Sequence, residues 1–256
     1  MSHDTLVEGP STPATGVSRH STAEREPPGM EIDTPTLTNA LSYVSHRLLQ
    51  KTREHHTFIV TGDVLFSLFF RSKRTTRAVE LLQTSTLSLK QKEALVSGVL
   101  KTTEKYGIGR DDWLNNAGEV VMRRLNMHGG DVEEVVARSL VQKEIVFSGD
   151  GMTLVAVDFL YELRKMLHLL SRELEGGDGS GSEEMGGVYI DDMVELVRRL
   201  VTVEGRGRSL RKEVVEERYK TLVFSDGAWA VLAEEYERRF GEKGLREDGD
   251  EVGDRS

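Results

Sequence analysis

Cysteine is absent from all 256 residues, which excludes disulfides, thiolate metal sites and a thiol nucleophile. No run approaches the roughly eighteen consecutive apolar residues that a transmembrane helix needs. The opening MSHDTLVEGPSTPATG carries acidic residues, lacks an apolar core and lacks an Arg-rich amphipathic face. It therefore reads neither as a secretory signal nor as a mitochondrial presequence. Positive charge is in deficit, with 34 Lys and Arg against 43 Asp and Glu and a net charge of −9. That balance argues against broad, sequence-independent nucleic-acid binding, which depends on phosphate neutralisation, but leaves room for a local basic patch. His-Glu-x-x-His, Gly-x-Ser-x-Gly, a Walker loop and a dinucleotide fingerprint after a strand are all missing. The expected protein is intracellular, cytoplasmic by default, and makes no use of a membrane.

What is present suffices for one large or two small domains with a real core. Met1 to Gly29 is rich in Ser, Thr, Pro and Gly and poor in large apolar side chains, which predicts a disordered tail. Thr34-Pro35 predicts a helix start, with Thr34 as N-cap, and Leu37, Leu41, Val44 and Leu48 recur at helical spacing through about Glu54. His55 and His56 end that helix. Sequence neighbours do not share a helix face, so the pair is read as structural rather than metal-binding. Leu89 to Tyr106 reads as a helix with Leu95, Val99 and Leu100 inward and Gly107 as C-cap.

Ile108 to Asn116 reads as a loop, in which Asp111 and Asp112 are either a solvated cap or metal ligands. Glu119 to Met122 is expected as a strand. Asp131 to Lys143 predicts a helix burying Val132, Val135, Val136 and Leu140. Glu144 to Phe147 and Met152 to Val157 predict two strands joined by the turn Ser148-Gly149-Asp150-Gly151. Asp158 to Leu174 reads as a helix capped by Asp158, with Leu160, Leu163, Met166, Leu167 and Leu170 inward and His168 on its flank. Glu175 to Gly187 reads as a flexible linker. Val188 to Val203 predicts a further helix. Ser209 to Phe240 predicts two more around a break at Ser225-Asp226-Gly227, with Trp229, Val231, Leu232 and Tyr236 inward. Leu245 to Ser256 reads as an acidic disordered tail.

The rest is organised around Thr57 to Leu82. Thr57 to Thr61 is a β-rich apolar run broken at Gly62-Asp63. Val64 to Phe70 is a short helix, Arg71 to Arg77 a basic turn, and Ala78 to Leu82 a second strand. On that strand Ala78, Glu80 and Leu82 share one face, because side chains alternate.

This stretch resembles the signature of the nucleotidyltransferase fold. It is similar to fungal proteins of that fold and to abortive-infection-type toxin nucleotidyltransferases. Those proteins carry Gly-Gly or Gly-Ser after the first strand and Arg-x-Thr-x-Asp-φ-Asp-φ (φ apolar) on the second. Here Gly62-Asp63 stands at the first motif, and Arg74, Thr76, Ala78, Val79, Glu80 and Leu81 at the second. The Asp-Trp-Leu-Asn turn at Asp112 to Asn115, Lys165 on its helix, Asp191-Asp192 and the closing EEYERRFGEKG extend the resemblance over Leu37 to Gly244.

The resemblance implies an α+β fold: a small mixed sheet flanked by helices over residues 31–174, a linker or insertion at 175–187, and a helical part at 188–244. It also implies a cleft that takes Mg²⁺ and a nucleoside triphosphate. Gly62, Arg74, Thr76 and Lys165 become candidate nucleotide contacts, with Arg71, Lys73 and Arg77 beside them. Glu80 and Asp63 become the candidate catalytic and metal-binding carboxylates, and Asp191 and Asp192 further acidic candidates. Lys165 reads equally as a snorkelling helix lysine, and Asp191 and Asp192 as acids favoured by a helix dipole.

Two departures set the expected function. Ala78 stands where the first aspartate of the pair belongs, and a methyl group cannot ligate a cation. Asp63 puts negative charge where the triphosphate would approach the backbone. A third carboxylate is sought at Glu119 or Glu144. The expectation is a nucleotidyltransferase-like protein with a degenerate metal site, an accessory or binding protein for a nucleotide or protein partner. The alternative is an active Mg-dependent enzyme acting on a protein, RNA or small-molecule acceptor. A third reading is a structural partner-binding protein with an empty cleft.

Overall fold

The strand His56–Thr61 (β2) runs through the middle of the main sheet, because Phe58, Ile59 and Val60 offer apolar side chains to both faces and all are buried. The computed structural model describes residues 31–125, 131–176, 190–203 and 208–247. On one side β2 pairs antiparallel with Val79–Gln83 (β4), placing Thr61 opposite Glu80. On the other it pairs parallel with Met152–Ala156 (β7). Ile145–Ser148 (β6) returns antiparallel on β7, and the two-residue Leu114–Asn115 (β5) lies parallel to β4, giving the order β5-β4-β2-β7-β6. A small pair formed by Ile32–Asp33 (β1) and Thr75–Thr76 (β3) ties the chain start to the basic turn. The fold is thus mixed α+β, as expected.

Thr34–Thr52 (α1) and Leu89–Tyr106 (α2) pack on one another. The helix cap of α1 is Asp33 rather than Thr34: its carboxylate accepts from the Thr36 N–H at 2.7 Å. The Thr34 N–H and hydroxyl go instead to the Arg74 carbonyl, at 3.1 and 3.0 Å. The helix stops at Thr52, so His56 belongs to β2, where it is buried beside the Thr52 hydroxyl. On α2 the buried stripe is Ala94, Gly98, Val99 and Thr102, while Leu100 points outward, contrary to expectation. The reason is helix geometry. Gly98 lies against α1, where a Cβ would meet Val44 at 3.7 Å, and Leu100, two residues on, points to the opposite side of the helix.

Ala117–Leu125 (α3) replaces the strand expected at Glu119 to Met122. Asn115 caps its start, accepting from the Ala117 N–H at 2.7 Å, and the buried positions Gly118 and Met122 are one helical turn apart. In Asp131–Gln142 (α4) Val132 and Val135 are buried, but Leu140 is exposed. The inward position goes to Ser139, whose hydroxyl donates to the Val135 carbonyl and accepts from the Asp158 N–H.

Phe159–Gly176 (α5) begins after Asp158, which accepts from the Leu160 N–H, and it buries Leu160, Leu163, Met166, Leu167 and Leu170 as expected. The helix continues through Glu175 and Gly176, the expected start of the linker. It packs on Ile190–Val203 (α6) and Asp226–Phe240 (α8). One hydrophobic core therefore runs from β2 into the C-terminal helices. Leu210–Arg211 (β8) precedes the short Lys212–Glu217 (α7) and pairs with Leu245–Arg246 (β9). Leu245 is thereby buried rather than part of a tail. Trp229, Leu232 and Tyr236 are buried and Val231 is half-buried. The expectations for Met1 to Gly29, the linker beyond Gly176, the start of the helix expected from Val188 and the last residues lie outside the described residues. No helix among the described residues is long and apolar enough to cross a membrane.

Candidate functional site

The β2 strand ends at Gly62, whose φ of +75° lies in the left-handed region that glycine enters without steric cost. A π-helical turn at Leu65–Phe69 follows, with Phe70 donating back to Leu65, and stacks Phe66 and Phe70 into the core. Val64 to Phe70 was expected as a short α-helix; the wider turn sets Phe69 and Phe70 against Phe159 on α5. The basic segment then crosses over the end of β2 and feeds β4. Above this point opens a cleft of about 670 Å³.

The nucleotide-contact candidates, Glu80, Asp63, Asp191 and Asp192 come together there, whereas Arg71, Asp111, Glu119 and Glu144 do not line it. Gly62, Asp63, Arg74, Thr76 and Glu80 line the cleft from the β2–β4 unit, Lys165 from α5, and Asp191 and Asp192 from α6. Ala78, immediately before β4, and Glu80 within it both border the cleft. Glu80 is half-buried, and its carboxylate has no hydrogen bond or ion pair among the described residues. Burial pushes its pKa up; Lys165 opposes the shift, while Glu162 and Asp63 reinforce it. Room for this side chain comes from two glycines: a Cβ on Gly62 or Gly118 would stand 3.5 or 3.2 Å from Glu80 Oε2.

Lys165 is anchored at the floor. Its ammonium donates to Glu162 Oε1 at 2.7 Å and to the Thr61 hydroxyl at 3.0 Å. The Thr61 hydroxyl donates to Glu162 Oε2 at 2.6 Å, and the Gly62 N–H reaches Glu162 Oε1 at 3.3 Å. Glu162 is 1% exposed, so this acid is a bracket fastening the glycine turn to α5. The sequence reading missed it. Its spacing three residues before Lys165 on one helix face was the available signal.

Lys73 makes the second ionic cluster. Its ammonium lies 2.7 Å from Asp63 Oδ1 and 2.8 Å from Asp192 Oδ2. The Ser72 hydroxyl donates to the other Asp192 oxygen at 3.0 Å. Burial works to lower the Lys73 pKa, but the Asp192 and Asp63 carboxylates together hold it above its ordinary value. For Asp192, burial pushes upward against the pull of Lys73 and Ser72 and prevails. The Lys73 ammonium also faces the Phe66 ring at 5.6 Å.

The remaining acids are engaged elsewhere. Asp191 pairs with Arg239 of α8. Asp112 borders the cleft but is held by Arg110 through two bonds of 2.6 and 2.7 Å; Asp111 is exposed and outside the cleft lining. Neither Glu119 nor Glu144 supplies a third carboxylate: Glu119 pairs with Arg123 and Glu144 with Arg199. His168 contacts the Val223 carbonyl. Among the described residues no three His, Asp or Glu side chains are gathered to hold a metal ion.

A family model described as Domain of unknown function (DUF7582) matches residues 30–243. The chain belongs to that family. No curated protein and no solved structure matches the DUF7582 chain. The match reaches from just before β1 to the residues leading into β9, so every wall of the cleft lies within the DUF7582 domain.

Proposed function

We propose that this DUF7582 domain is a nucleotidyltransferase-like protein with a degenerate metal site, working as a binding or accessory protein rather than by nucleotidyl transfer. The kinship is supported by position. The Gly62 turn closes the central strand, Glu80 stands on the antiparallel neighbour, Lys165 comes from the helix after β7, and Asp191 and Asp192 face the same cleft.

The observation that carries the impaired reading is the pairing at the carboxylates. The strand offers one acid, Glu80, beside the methyl of Ala78, and the next acid, Asp63, is occupied by the Lys73 ammonium at 2.7 Å. Magnesium requires near-octahedral oxygen ligation, usually through one or two carboxylates plus phosphate oxygens. A single unpaired, half-buried carboxylate with a raised pKa does not fit that ion, so no catalytic step is assigned through it.

The alternative, an active Mg-dependent transferase, draws its support from Glu80 itself, a carboxylate left without a partner inside the cleft. The deciding experiment incubates the pure protein with Mg²⁺ or Mn²⁺, labelled nucleoside triphosphates and cell extract as acceptor. The expected result is no incorporation. Label transfer that disappears in Glu80→Ala overturns the proposal in favour of the enzyme. Calorimetric titration with nucleotide separates a binding protein from a structural one whose cleft takes no ligand.

A further inference from the structure

The cleft contains its own cations in the place where metal chemistry would ask for an ion. Asp63 follows β2 and Asp192 lies in the first turn of α6, far apart in sequence, yet both aim an oxygen at the one ammonium of Lys73. Its partners leave no room for casual occupancy: the Asp192 side chain is 2% exposed, with its second oxygen on Ser72. A divalent ion approaching Asp63 would have to displace this ammonium or sit beside it against like-charge repulsion.

Other cations are available to an anion. Arg74 and Arg77 line the mouth and are exposed, and their guanidinium groups have no hydrogen bond or ion pair among the described residues. Each guanidinium presents a planar fork of donors that suits phosphate oxygens. Lys165 carries three ammonium protons, two of which go to Glu162 and Thr61, so one remains for the cleft it lines. Two free guanidinium groups at the mouth and one ammonium donor at the floor make a path for a chain of phosphates rather than for a single carboxylate.

We propose that Lys73 is a resident replacement for the divalent cation, so that the cleft binds the phosphate chain of a nucleoside di- or triphosphate without metal, through Arg74, Arg77 and Lys165. This rests on the nucleotide-binding reading above and adds the metal independence and the residues responsible.

The test is isothermal titration of the full chain with ATP, ADP and pyrophosphate, each in EDTA and again in excess Mg²⁺. The expected result is binding in EDTA, with affinity changed by less than about threefold when Mg²⁺ is added, and pyrophosphate competing with ATP. Arg74→Gln with Arg77→Gln lowers the affinity in EDTA by about tenfold or more, as expected for loss of charge-assisted bonds. Lys73→Met, which frees Asp63 and Asp192, makes binding Mg-dependent.

Binding that appears only with Mg²⁺ leaves the nucleotide reading standing and overturns the role of Lys73. So does a folded Lys73→Met protein that remains indifferent to Mg²⁺. The wild-type comparison needs no variant, so failure of Lys73→Met to fold does not remove the test. Competition by adenosine but not by pyrophosphate overturns the phosphate-chain assignment. No heat from any ligand, with or without Mg²⁺, overturns the nucleotide-binding reading and this inference with it.

Discussion

Replacing Lys73 by methionine isolates the energetics of the cleft. The substitution keeps most of the length and of the apolar stem but removes the charge between Asp63 and Asp192. Asp192 is then a carboxylate with 2% side-chain exposure, left with the Ser72 hydroxyl. Breaking a buried ion pair by removing one partner costs about 3–5 kcal/mol. Part of that is recovered here, because the Asp63 side chain is 43% exposed and Lys73 itself 19%, so Asp63 can return to water. The net loss should be about 2–3 kcal/mol, or roughly 5–10 °C in Tm for a domain of this size. Urea unfolding of wild type, Lys73→Met, Asp192→Asn and the double variant measures it as a cycle.

The sign with pH gives a second, independent reading. Without Lys73, the folded-state pKa of Asp192 rises further above its unfolded value. The stability linked to Asp192 is then fully present below the unfolded pKa and lost as pH rises through the folded one. The gap between variant and wild type should therefore close as pH falls toward the ordinary carboxylate range, and the double variant should be more stable than Lys73→Met at neutral pH. A loss below about 0.5 kcal/mol, the level of an exposed pair, with no pH dependence, would refute the claim that Lys73 is held as a buried counter-ion.

Glu80→Gln should stabilise the fold at neutral pH by about 1 kcal/mol or less, since burial raises the Glu80 pKa and ionised Glu80 opposes folding there. The gain should vanish in acid, and denaturant titration at two pH values checks it. Arg164 on α5 is 4% exposed and donates to the carbonyls of Leu222, Val215 and Glu216, each at 2.7 Å, and to that of Arg218. Arg164→Met should cost about 3–5 kcal/mol, with hydrogen exchange accelerating first between α7 and α8. A Cβ on Gly118 would fall 2.4 Å from Thr61 Cγ2, so Gly118→Ala should destabilise by about 1–3 kcal/mol and weaken any ligand binding in the cleft, measured in the same titrations. His56, its pKa lowered chiefly by burial with Glu54 opposing, contributes stability present above its unfolded pKa and lost as pH falls through the folded one. Acid unfolding should consequently shift to lower pH in a folded His56→Gln variant.

The local elements were largely readable. Leu37, Leu41, Val44 and Leu48 mark α1, Gly107 ends α2, and Gly149-Asp150-Gly151 joins β6 to β7, because periodicity and turn chemistry act within a few residues. Errors arose where packing overrode pattern. Gly98 and Ser139, rather than Leu100 and Leu140, face the core: Gly98 sits against α1, and Ser139 bonds the Asp158 N–H. Glu119 to Met122 looked like a strand because four residues cannot separate a period of two from one of 3.6.

By itself, then, the sequence determined the α+β order, the left-handed glycine after β2, the face shared by Ala78 and Glu80, and the set of residues worth following to a cleft. Only the tertiary structure decided how their charges are spent. Lys73 meets an aspartate 119 residues later in the chain, and Lys165 meets a threonine 104 residues earlier. Such pairings depend on how α5 docks against the end of β2 and how α6 meets the basic segment. Docking is governed by burial of whole faces rather than by any local signal, so no spacing in the chain announces which acids remain without a cation.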